Sequence, residues 1–203
     1  MISLLPIHIN QSSAHKQLFQ WDSSKLKWLI SRWVAENQKF IKRNGLILDL
    51  ACGSGRNGKF LLEKGFNVVF LDRDISLLGW VPKASRSQVV KHDLENGTRW
   101  CFLPRSFDAV VVTNYLYRPI FADLLSIIEE GGVLIYETFS RGNEIYGRPK
   151  NPNYLLQPEE LIDIVRPSMR IISFKEGYSD EGRKSITQKI VAIKRTGKTA
   201  QIP

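Results

Sequence analysis

A strand that runs into a glycine turn near residue 50 constrains the fold of this chain more than any other feature. Residues 46–55 read LILDLACGSG, and an apolar run ends at Asp72 about 20 residues later. This order predicts a strand, a turn, a helix and a second strand that ends in an acid. Gly53 and Gly55 allow a tight turn close to a ligand, and Asp72 is placed to accept hydrogen bonds from two ribose hydroxyls. The sequence therefore indicates a nucleotide-binding βαβ unit.

Two kinds of nucleotide fit this unit. Residues 53–58, GSGRNG, satisfy the pattern G-x-G-x-x-G, which seats a pyrophosphate on a helix N-terminus, so a nicotinamide-dependent dehydrogenase is one interpretation. Asp49 stands four residues before the first glycine, where it would repel a diphosphate and attract a cation. S-adenosylmethionine offers an adenosine to Asp72 and an ammonium to Asp49, and is the second interpretation.

The spacing of Asp49 from Gly53-Ser-Gly55 resembles the first motif of the class I S-adenosylmethionine-dependent methyltransferases, acid-x-x-x-Gly-x-Gly. Three later segments stand in the family's order. They are QVVKHDL at 88–94, FDAVVVT at 107–113 and EGGVLIYE at 130–137. Local similarity to tellurite-resistance-type and thiopurine-type methyltransferases comes from Gly55-Arg-Asn57 and the following helix end. The resemblance covers about residues 45–195 and implies S-adenosyl-L-methionine as the cofactor.

The resemblance implies a doubly wound, Rossmann-like α/β fold with a mostly parallel seven-stranded sheet and an antiparallel last strand. We predict strands at 46–51, 67–71, 88–91, 108–113, 132–138, 170–176 and 187–194, and helices at 56–64, near 75–80, at 119–128 and from Pro158. Asp22 and Ser23 offer N-cap oxygens to a helix carrying Leu26, Leu29, Ile30, Trp33 and Val34. We expect a single domain over 1–203, with a leader and helix at 1–44, a core at 45–195 and a basic tail at 196–203.

By resemblance, the glycine loop and Asp49 hold the methionine part of the cofactor, and Asp72 holds the ribose. Asp93 and the backbone of Leu94 hold the adenine. Asp49 as a buried helix-capping acid and Asp93 as an ordinary loop acid are the alternatives, and Arg56 could contact a carboxylate or solvent. The cofactor-binding candidates are Asp49, Gly53, Ser54, Gly55, Arg56, Asp72, Arg73, Asp93, Leu94 and Asn114.

Methyl transfer from a sulfonium mainly requires a positioned acceptor and the exclusion of water. The catalytic candidates are Asn114, Tyr115 and Glu137, as acceptor-orienting groups or a base, with packing as the alternative for the tyrosine. Asn114-Tyr-Leu-Tyr departs from the Asn-Pro-Pro-Tyr signature of adenine- and cytosine-N methyltransferases. The three histidines are scattered and no metal-ligand spacing occurs, so we expect no metal. Cys52 lies in the glycine motif, where packing is expected.

The segment 139–157 follows the fifth strand and is rich in polar residues, glycine and proline. Loops of this length in compact domains are usually functional or disordered. We predict an acceptor-side lid, with a surface insertion as the alternative. Arginines and tyrosines over a water-poor site would suit an anionic or aromatic acceptor. The substrate-binding candidates are Tyr117, Tyr146 and Arg148.

The net charge of +9 is carried by the two ends of the chain. Residues 1–45 hold seven basic and two acidic side chains, 46–140 hold ten and eleven, and 141–203 hold twelve and seven. Basic ends could hold RNA, or could be solvated surface. Two cysteines and the absence of a secretory pattern or long apolar run predict a cytoplasmic protein without a membrane span. We expect a methyltransferase acting on a small molecule, with an RNA methyltransferase or a non-catalytic cofactor-binding subunit as alternatives.

Overall fold

Seven strands form one sheet in the order β3-β2-β1-β4-β5-β7-β6. The computed structural model describes residues 30–98, 100–180 and 184–196. The strands are β1 (Leu46–Leu50), β2 (Asn67–Asp72), β3 (Ser87–Lys91), β4 (Phe107–Thr113), β5 (Ile128–Phe139), β6 (Met169–Ser179) and β7 (Ser185–Lys194). β1 to β5 run parallel, and β7 is antiparallel to both β5 and β6. The predicted sheet, with its antiparallel last strand, is confirmed.

The strand order reverses between β1 and β4, which lie side by side although two strands separate them in the chain. In open α/β sheets, the crevice outside the carboxyl ends of the strands at such a switch point binds ligands. The loop after β1 (51–55) and the loop after β4 (114–117) therefore mark the place where a site is expected.

In the part of the chain that the structure describes, four short α-helices cover the two faces of the sheet. They are α1 (Arg32–Asn37), α2 (Arg56–Glu63), α3 (Phe121–Ser126) and α4 (Glu160–Val165). Trp33 and Val34 of α1 and Leu61 of α2 share one hydrophobic layer, whereas Leu124 of α3 and Leu161 of α4 belong to the other. Side chains of the central strands alternate between the layers, because successive residues of a strand point to opposite faces. The sheet is doubly wound, as expected.

The N-terminal helix differs from the expectation. Ser31 has extended backbone angles, and its Oγ accepts a hydrogen bond from the amide of Val34, so it is the N-cap of α1. The prediction of a helix that continues through Ser31 is therefore wrong at this residue, because its hydroxyl caps the first turn of a helix that begins at Arg32. The proposed caps Asp22 and Ser23 lie outside the described residues.

Other boundaries shift by a few residues. The expected helix near 75–80 is a single 3₁₀ turn at Ser76–Leu78, and α4 begins at Glu160 instead of Pro158. β5 starts earlier than expected, at Ile128, which shortens α3. Of the helices in the part of the chain that the structure describes, none is long and apolar enough to cross a membrane.

Candidate functional site

The glycine loop joins β1 to α2 in a conformation that glycine allows. Gly53 and Gly55 have φ values of 56° and 72°, and Gly55 is the N-cap of α2. A Cβ on Gly55 would lie 2.9 Å from Cδ2 of Leu78 and 2.9 Å from Cζ2 of Trp80, whereas a Cβ on Gly53 would meet no atom within 4 Å. The loop is therefore closed against a hydrophobic wall at Gly55 and open at Gly53, which leaves space for a ligand beside the backbone.

Trp80 is part of this site and was not among the sequence candidates. Its indole Nε1 donates a 3.1 Å hydrogen bond to the carbonyl of Ser54, and its ring meets Phe70 edge to face at 5.6 Å. The Nζ atom of Lys59 lies 4.9 Å from the centre of the Trp80 ring. Trp80 thus fixes the glycine loop from outside. The sequence did not predict this contact, because Trp80 is far from the loop along the chain and tertiary contacts leave no local sequence pattern.

The third glycine of the motif packs the helix onto the sheet. A Cβ on Gly58 would lie 2.3 Å from Cε1 of Phe70 and 2.8 Å from Oδ2 of Asp49, so no larger residue fits without movement. The amide of Gly58 donates a 2.8 Å hydrogen bond to Oδ2 of Asp49. Packing therefore explains the last glycine of the G-x-G-x-x-G pattern, and pyrophosphate binding is not required to account for it.

Asp49 lies beneath the glycine loop with 1% of its surface exposed. Burial raises its pKa to about 7, although the Gly58 amide and the charge of Arg56 oppose this shift. In this position Asp49 caps the first turn of α2, which is one of its two interpretations. A contact between Asp49 and the methionine part of a cofactor stays a prediction.

Cys52 has a structural place in the same loop. Its amide donates a 3.0 Å hydrogen bond to the carbonyl of Leu71, which joins the end of β1 to the end of β2. Burial, followed by the charges of Asp49 and Asp72, raises the pKa of its thiol. A thiol that stays protonated is a poor nucleophile, so the geometry agrees with a packing role.

A cavity of about 350 Å³ opens at the carboxyl ends of β2, β3 and β4. We call it the cofactor cavity. It brings together six of the sequence candidates, namely Asp72, Arg73, Asp93, Leu94, Asn114 and Tyr115. It also contains five residues that the sequence did not single out, namely Ala51, Leu71, His92, Glu95 and Tyr154. His92 and Glu95 flank the Asp93-Leu94 pair at the end of β3. Their position next to this predicted pair could have identified them as cavity residues from the sequence.

Two carboxylates in the cofactor cavity are held by backbone amides. Asp72 accepts a 2.7 Å bond from Gly53 through Oδ2 and a 2.9 Å bond from Asp74 through Oδ1. Asp93 accepts a 2.9 Å bond from Glu95 through Oδ1. A carboxylate has about four lone-pair directions, so Asp72 retains acceptor capacity for the two hydroxyls of a ribose.

A second cavity, of about 490 Å³, adjoins the first. We call it the acceptor cavity. Its walls are Asn114, Phe139, Arg148, Pro149, Lys150, Asn151 and Tyr154. Asn114 and Tyr154 line both cavities, so the two spaces meet at these side chains. Asn114 has a φ of 57°, which is uncommon for residues other than glycine but is tolerated by asparagine. Its backbone N–H donates a hydrogen bond to the backbone carbonyl of Glu137.

The segment 139–157 forms most of the acceptor cavity wall and has defined turns. Its two ends are joined, because Leu156 donates to the carbonyl of Phe139 and Arg141 donates to the carbonyl of Leu156, at 3.0 Å each. 3₁₀ turns occur at Asn143–Ile145 and Pro152–Tyr154. The closed ends resemble a compact loop anchored to the sheet rather than a surface insertion. Arg148 lies on the wall of the acceptor cavity, and its role in an acceptor-side lid stays a prediction.

Tyr115 lines the cofactor cavity, and its hydroxyl is buried without a hydrogen-bond partner among the described residues. Burial, and then the nearby charge of Glu95, raise its pKa. A phenol with a raised pKa stays protonated, so Tyr115 can donate a hydrogen bond to a ligand and is unsuited to the role of a general base.

Three of the catalytic and substrate-binding candidates lie outside both cavities. Glu137 accepts a 2.8 Å hydrogen bond from Oγ of Ser31 and lies 3.9 Å from Nζ of Lys189, so it connects β5 to the start of α1. The ring of Tyr146 packs against that of Tyr178 at 5.4 Å. Tyr117 packs on the hydrophobic layer of α3 and α4. Five cofactor candidates are also absent from the walls of both cavities, namely Asp49, Gly53, Ser54, Gly55 and Arg56.

Comparisons with known proteins show which proteins the chain is similar to. Residues 47–132 match the family model of a methyltransferase domain. YqeM of Bacillus subtilis, whose name assigns it to the methyltransferases, is 29% identical over 119 residues, which cover 54% of this chain and 48% of that protein. The chain thus spans about half the length of this curated relative.

Solved structures share the fold at low sequence identity. TehB from Haemophilus influenzae superposes with a TM-score of 0.65 at 17% identity, covering 82% of this chain and 63% of that one. The 1,6-didemethyltoxoflavin-N1-methyltransferase of Burkholderia thailandensis, solved with its substrate and S-adenosylhomocysteine, gives a TM-score of 0.62 at 14% identity, covering 86% and 80%. Fold, glycine loop and domain match agree in making the chain similar to the class I, Rossmann-like S-adenosylmethionine-dependent methyltransferases.

Proposed function

We propose that this chain transfers a methyl group from S-adenosyl-L-methionine to a small-molecule acceptor bound in the acceptor cavity. The observation that carries the proposal is the meeting of two cavities at Asn114 and Tyr154, at the carboxyl ends of the parallel strands. One cavity has the groups that adenosine requires, and the other is a separate space of ligand size. A methyl group at the junction would be accessible from both.

The residues of the cofactor cavity fit an adenosine. Asp72 retains acceptor capacity for ribose hydroxyls, and the open side of Gly53 permits close approach to the backbone. Asp93 and the amide of Leu94 offer an acceptor and a donor to the adenine edge. Bound S-adenosylmethionine supplies an electrophilic methyl on a sulfonium, whose departing sulfur takes the bonding electrons as a neutral thioether while the acceptor's lone pair forms the new bond.

The protein's part in this reaction is to position the acceptor and to keep water out. Asn114, with its amide group at the junction, can orient an acceptor atom by a hydrogen bond. Tyr115 can donate a hydrogen bond from its protonated hydroxyl. No step requires a carboxylate base, and the proton released by the acceptor passes to solvent.

The charges on the cavity walls favour an anionic acceptor. The acceptor cavity has two cationic side chains, Arg148 and Lys150, and no acid among its lining residues. Its apolar surface comes from Phe139, Pro149 and the ring of Tyr154. Guanidinium and ammonium groups bind carboxylates, and flat rings stack on planar ligands. An aromatic carboxylic acid combines both features.

The first experiment measures ligand binding by thermal shift and calorimetry. S-adenosylhomocysteine at about 100 times its dissociation constant should stabilise the protein by about 2.7 kcal/mol, and NAD should not. Equal or greater stabilisation by NAD would contradict the cofactor assignment.

The second experiment uses S-adenosylmethionine with a labelled methyl group. The acceptors tested are a panel of hydroxylated and aminated aromatic carboxylates, the neutral carboxamide of each as its matched control, and total RNA. Labelling of a carboxylate in preference to its amide is the expected result. Labelling of RNA that falls steeply with salt would support the RNA methyltransferase instead. Cofactor binding without labelling of any acceptor would support a non-catalytic subunit.

A further inference from the structure

One arginine outside both cavities connects their walls. Arg118 follows β4 by five residues, in the loop that carries Asn114. Its Nη1 donates a 2.7 Å hydrogen bond to the carbonyl of Asn153, and its Nη2 donates a 3.0 Å bond to the carbonyl of Leu155. These two carbonyls belong to the residues on either side of Tyr154. A single guanidinium thus holds the backbone of Tyr154 from both sides.

The guanidinium is itself held in place by Glu160. Nε and Nη2 of Arg118 donate to the two carboxylate oxygens of Glu160 at 2.7 and 2.8 Å, which is a bidentate pair. Glu160 also accepts a 2.7 Å bond from the amide of Gln157. Burial raises the pKa of Glu160, but the bonds from Arg118 and Gln157 outweigh it and lower the pKa overall. Glu160 therefore stays ionised and keeps the fork of Arg118 oriented.

Tyr154 is the residue that this arrangement places. It is the last residue of the 3₁₀ turn Pro152–Tyr154, whose N-cap Asn151 accepts a 3.0 Å bond from Asn153. Tyr154 lines both cavities, and 46% of its surface is exposed. Among the described residues its ring belongs to neither hydrophobic layer, so backbone bonds, including the two from Arg118, hold it in place near Asn114.

We propose that Tyr154 is an acceptor-positioning residue at the junction of the two cavities, and that Arg118 is the positioning residue that sets its distance from Asn114. The inference rests on the proposed methyl transfer for the identity of the ligands. The ring of Tyr154 stacks on a planar acceptor and turns its reacting atom toward the methyl, while Arg118 touches neither ligand. The mechanism needs this precision, because displacements of about 1 Å can cost about 100-fold in rate.

The test follows Tyr154 directly by ¹⁹F NMR on protein made with 3-fluorotyrosine. The chain has six tyrosines, and Tyr154→Phe assigns the signal of interest. Tyr178, which lines neither the cofactor nor the acceptor cavity, is the internal reference. The variants are Arg118→Lys, which cannot make the bidentate pair and both carbonyl bonds, and Glu160→Gln, which removes the charged pair but keeps one oxygen acceptor for the guanidinium. Arg170→Lys, at an exposed position on β6, is the matched control.

S-adenosylhomocysteine is expected to shift the Tyr154 signal and to leave Tyr178 unchanged. Arg118→Lys is expected to move or broaden the Tyr154 signal of the ligand-free protein and to abolish its response, and Glu160→Gln to weaken the response, whereas Arg170→Lys preserves it. Once an acceptor is known, Arg118→Lys should lower kcat/KM about 100-fold with the affinity for S-adenosylhomocysteine unchanged.

Two results would overturn the inference. One is a Tyr154 signal that does not change when S-adenosylhomocysteine is added, although calorimetry shows that the ligand binds. The other is a ligand-free Tyr154 signal that is the same in Arg118→Lys as in Arg170→Lys. Failure of S-adenosylhomocysteine to bind would instead contradict the proposed function, while the ligand-free comparison of the variants would still decide whether Arg118 positions Tyr154.

Discussion

The amide of Gly58 and the carboxylate of Asp49 are joined by a 2.8 Å hydrogen bond beneath the glycine loop. The third glycine of the motif and the acid of the first strand therefore form one packing unit. Asp49 needs the amide because it is buried, and Gly58 must lack a side chain because Asp49 and Phe70 occupy the space. This relationship explains why a chain can match a dinucleotide fingerprint without a pyrophosphate to bind.

Gly58→Ala should destabilise the protein by about 1–3 kcal/mol, because the new Cβ would clash with Phe70 and Asp49. Gly79→Ala is the matched control, since a Cβ there meets nothing within 4 Å and the residue has helical backbone angles. The control should change stability by no more than about 0.5 kcal/mol. Urea denaturation of both variants makes the comparison, and equal midpoints would contradict the packing role of Gly58.

Asp49→Asn should remove a pH dependence of stability. The folded-state pKa of about 7 exceeds the ordinary value of 3.8, so between these values the folded protein binds more protons than the unfolded chain. The free energy of unfolding of the ligand-free protein therefore falls as the pH rises through this window, with a limiting slope of about 1.4 kcal/mol per pH unit.

The asparagine variant keeps an oxygen for the Gly58 amide and has no charge to lose, so its unfolding free energy should vary less between pH 4 and pH 7. Asp108→Asn is the control, because Asp108 accepts a 2.8 Å bond from Leu46 at a distance from the site. Thermal unfolding across the pH series is the measurement. A slope in Asp49→Asn equal to that of the parent protein would show that Asp49 does not titrate there.

Asp72→Ala should weaken S-adenosylhomocysteine binding more than Asp93→Ala. Asp72 is held by two amides and retains oxygen lone pairs for two hydroxyls, each charged hydrogen bond contributing about 1.5–3 kcal/mol. At the adenine edge, the amide of Leu94 remains when Asp93 is removed. Calorimetry on both variants decides the order, and wild-type affinity in Asp72→Ala would disprove the assignment of the ribose site.

Arg148→Ala should lower turnover of an anionic acceptor about tenfold or more, because a charge-assisted hydrogen bond is lost, and should leave the affinity for S-adenosylhomocysteine unchanged. Arg148 lines the acceptor cavity and is absent from the walls of the cofactor cavity. Arg170→Ala is the control on the surface of β6. Lost cofactor binding in Arg148→Ala, or turnover like that of Arg170→Ala, would refute the role of the 139–157 segment in binding the acceptor.

Local sequence patterns determined the fold and which strand ends meet at the cofactor cavity. The apolar runs, glycine turns and strand-terminal acids locate the parallel strands β1 to β5, because a parallel strand buried on both faces is nearly continuously apolar. Because the strands are parallel, the carboxyl ends of β2, β3 and β4 lie at one edge of the sheet. Asp72, Asp93 and Asn114 lie at or just after these ends, so their positions in the sequence were enough to place them together.

Tertiary structure alone decided the rest, because contacts between distant segments depend on the path of irregular loops. No local pattern in the sequence places Tyr154 beside Asn114. The bonds from Arg118 to the carbonyls of Asn153 and Leu155 do so. Glu137 has the position of a catalytic base by strand order, yet its carboxylate accepts from Ser31, more than a hundred residues earlier. The apolar pattern of the sequence predicts where strands end, whereas the contacts of a side chain in a loop are known only from the tertiary structure.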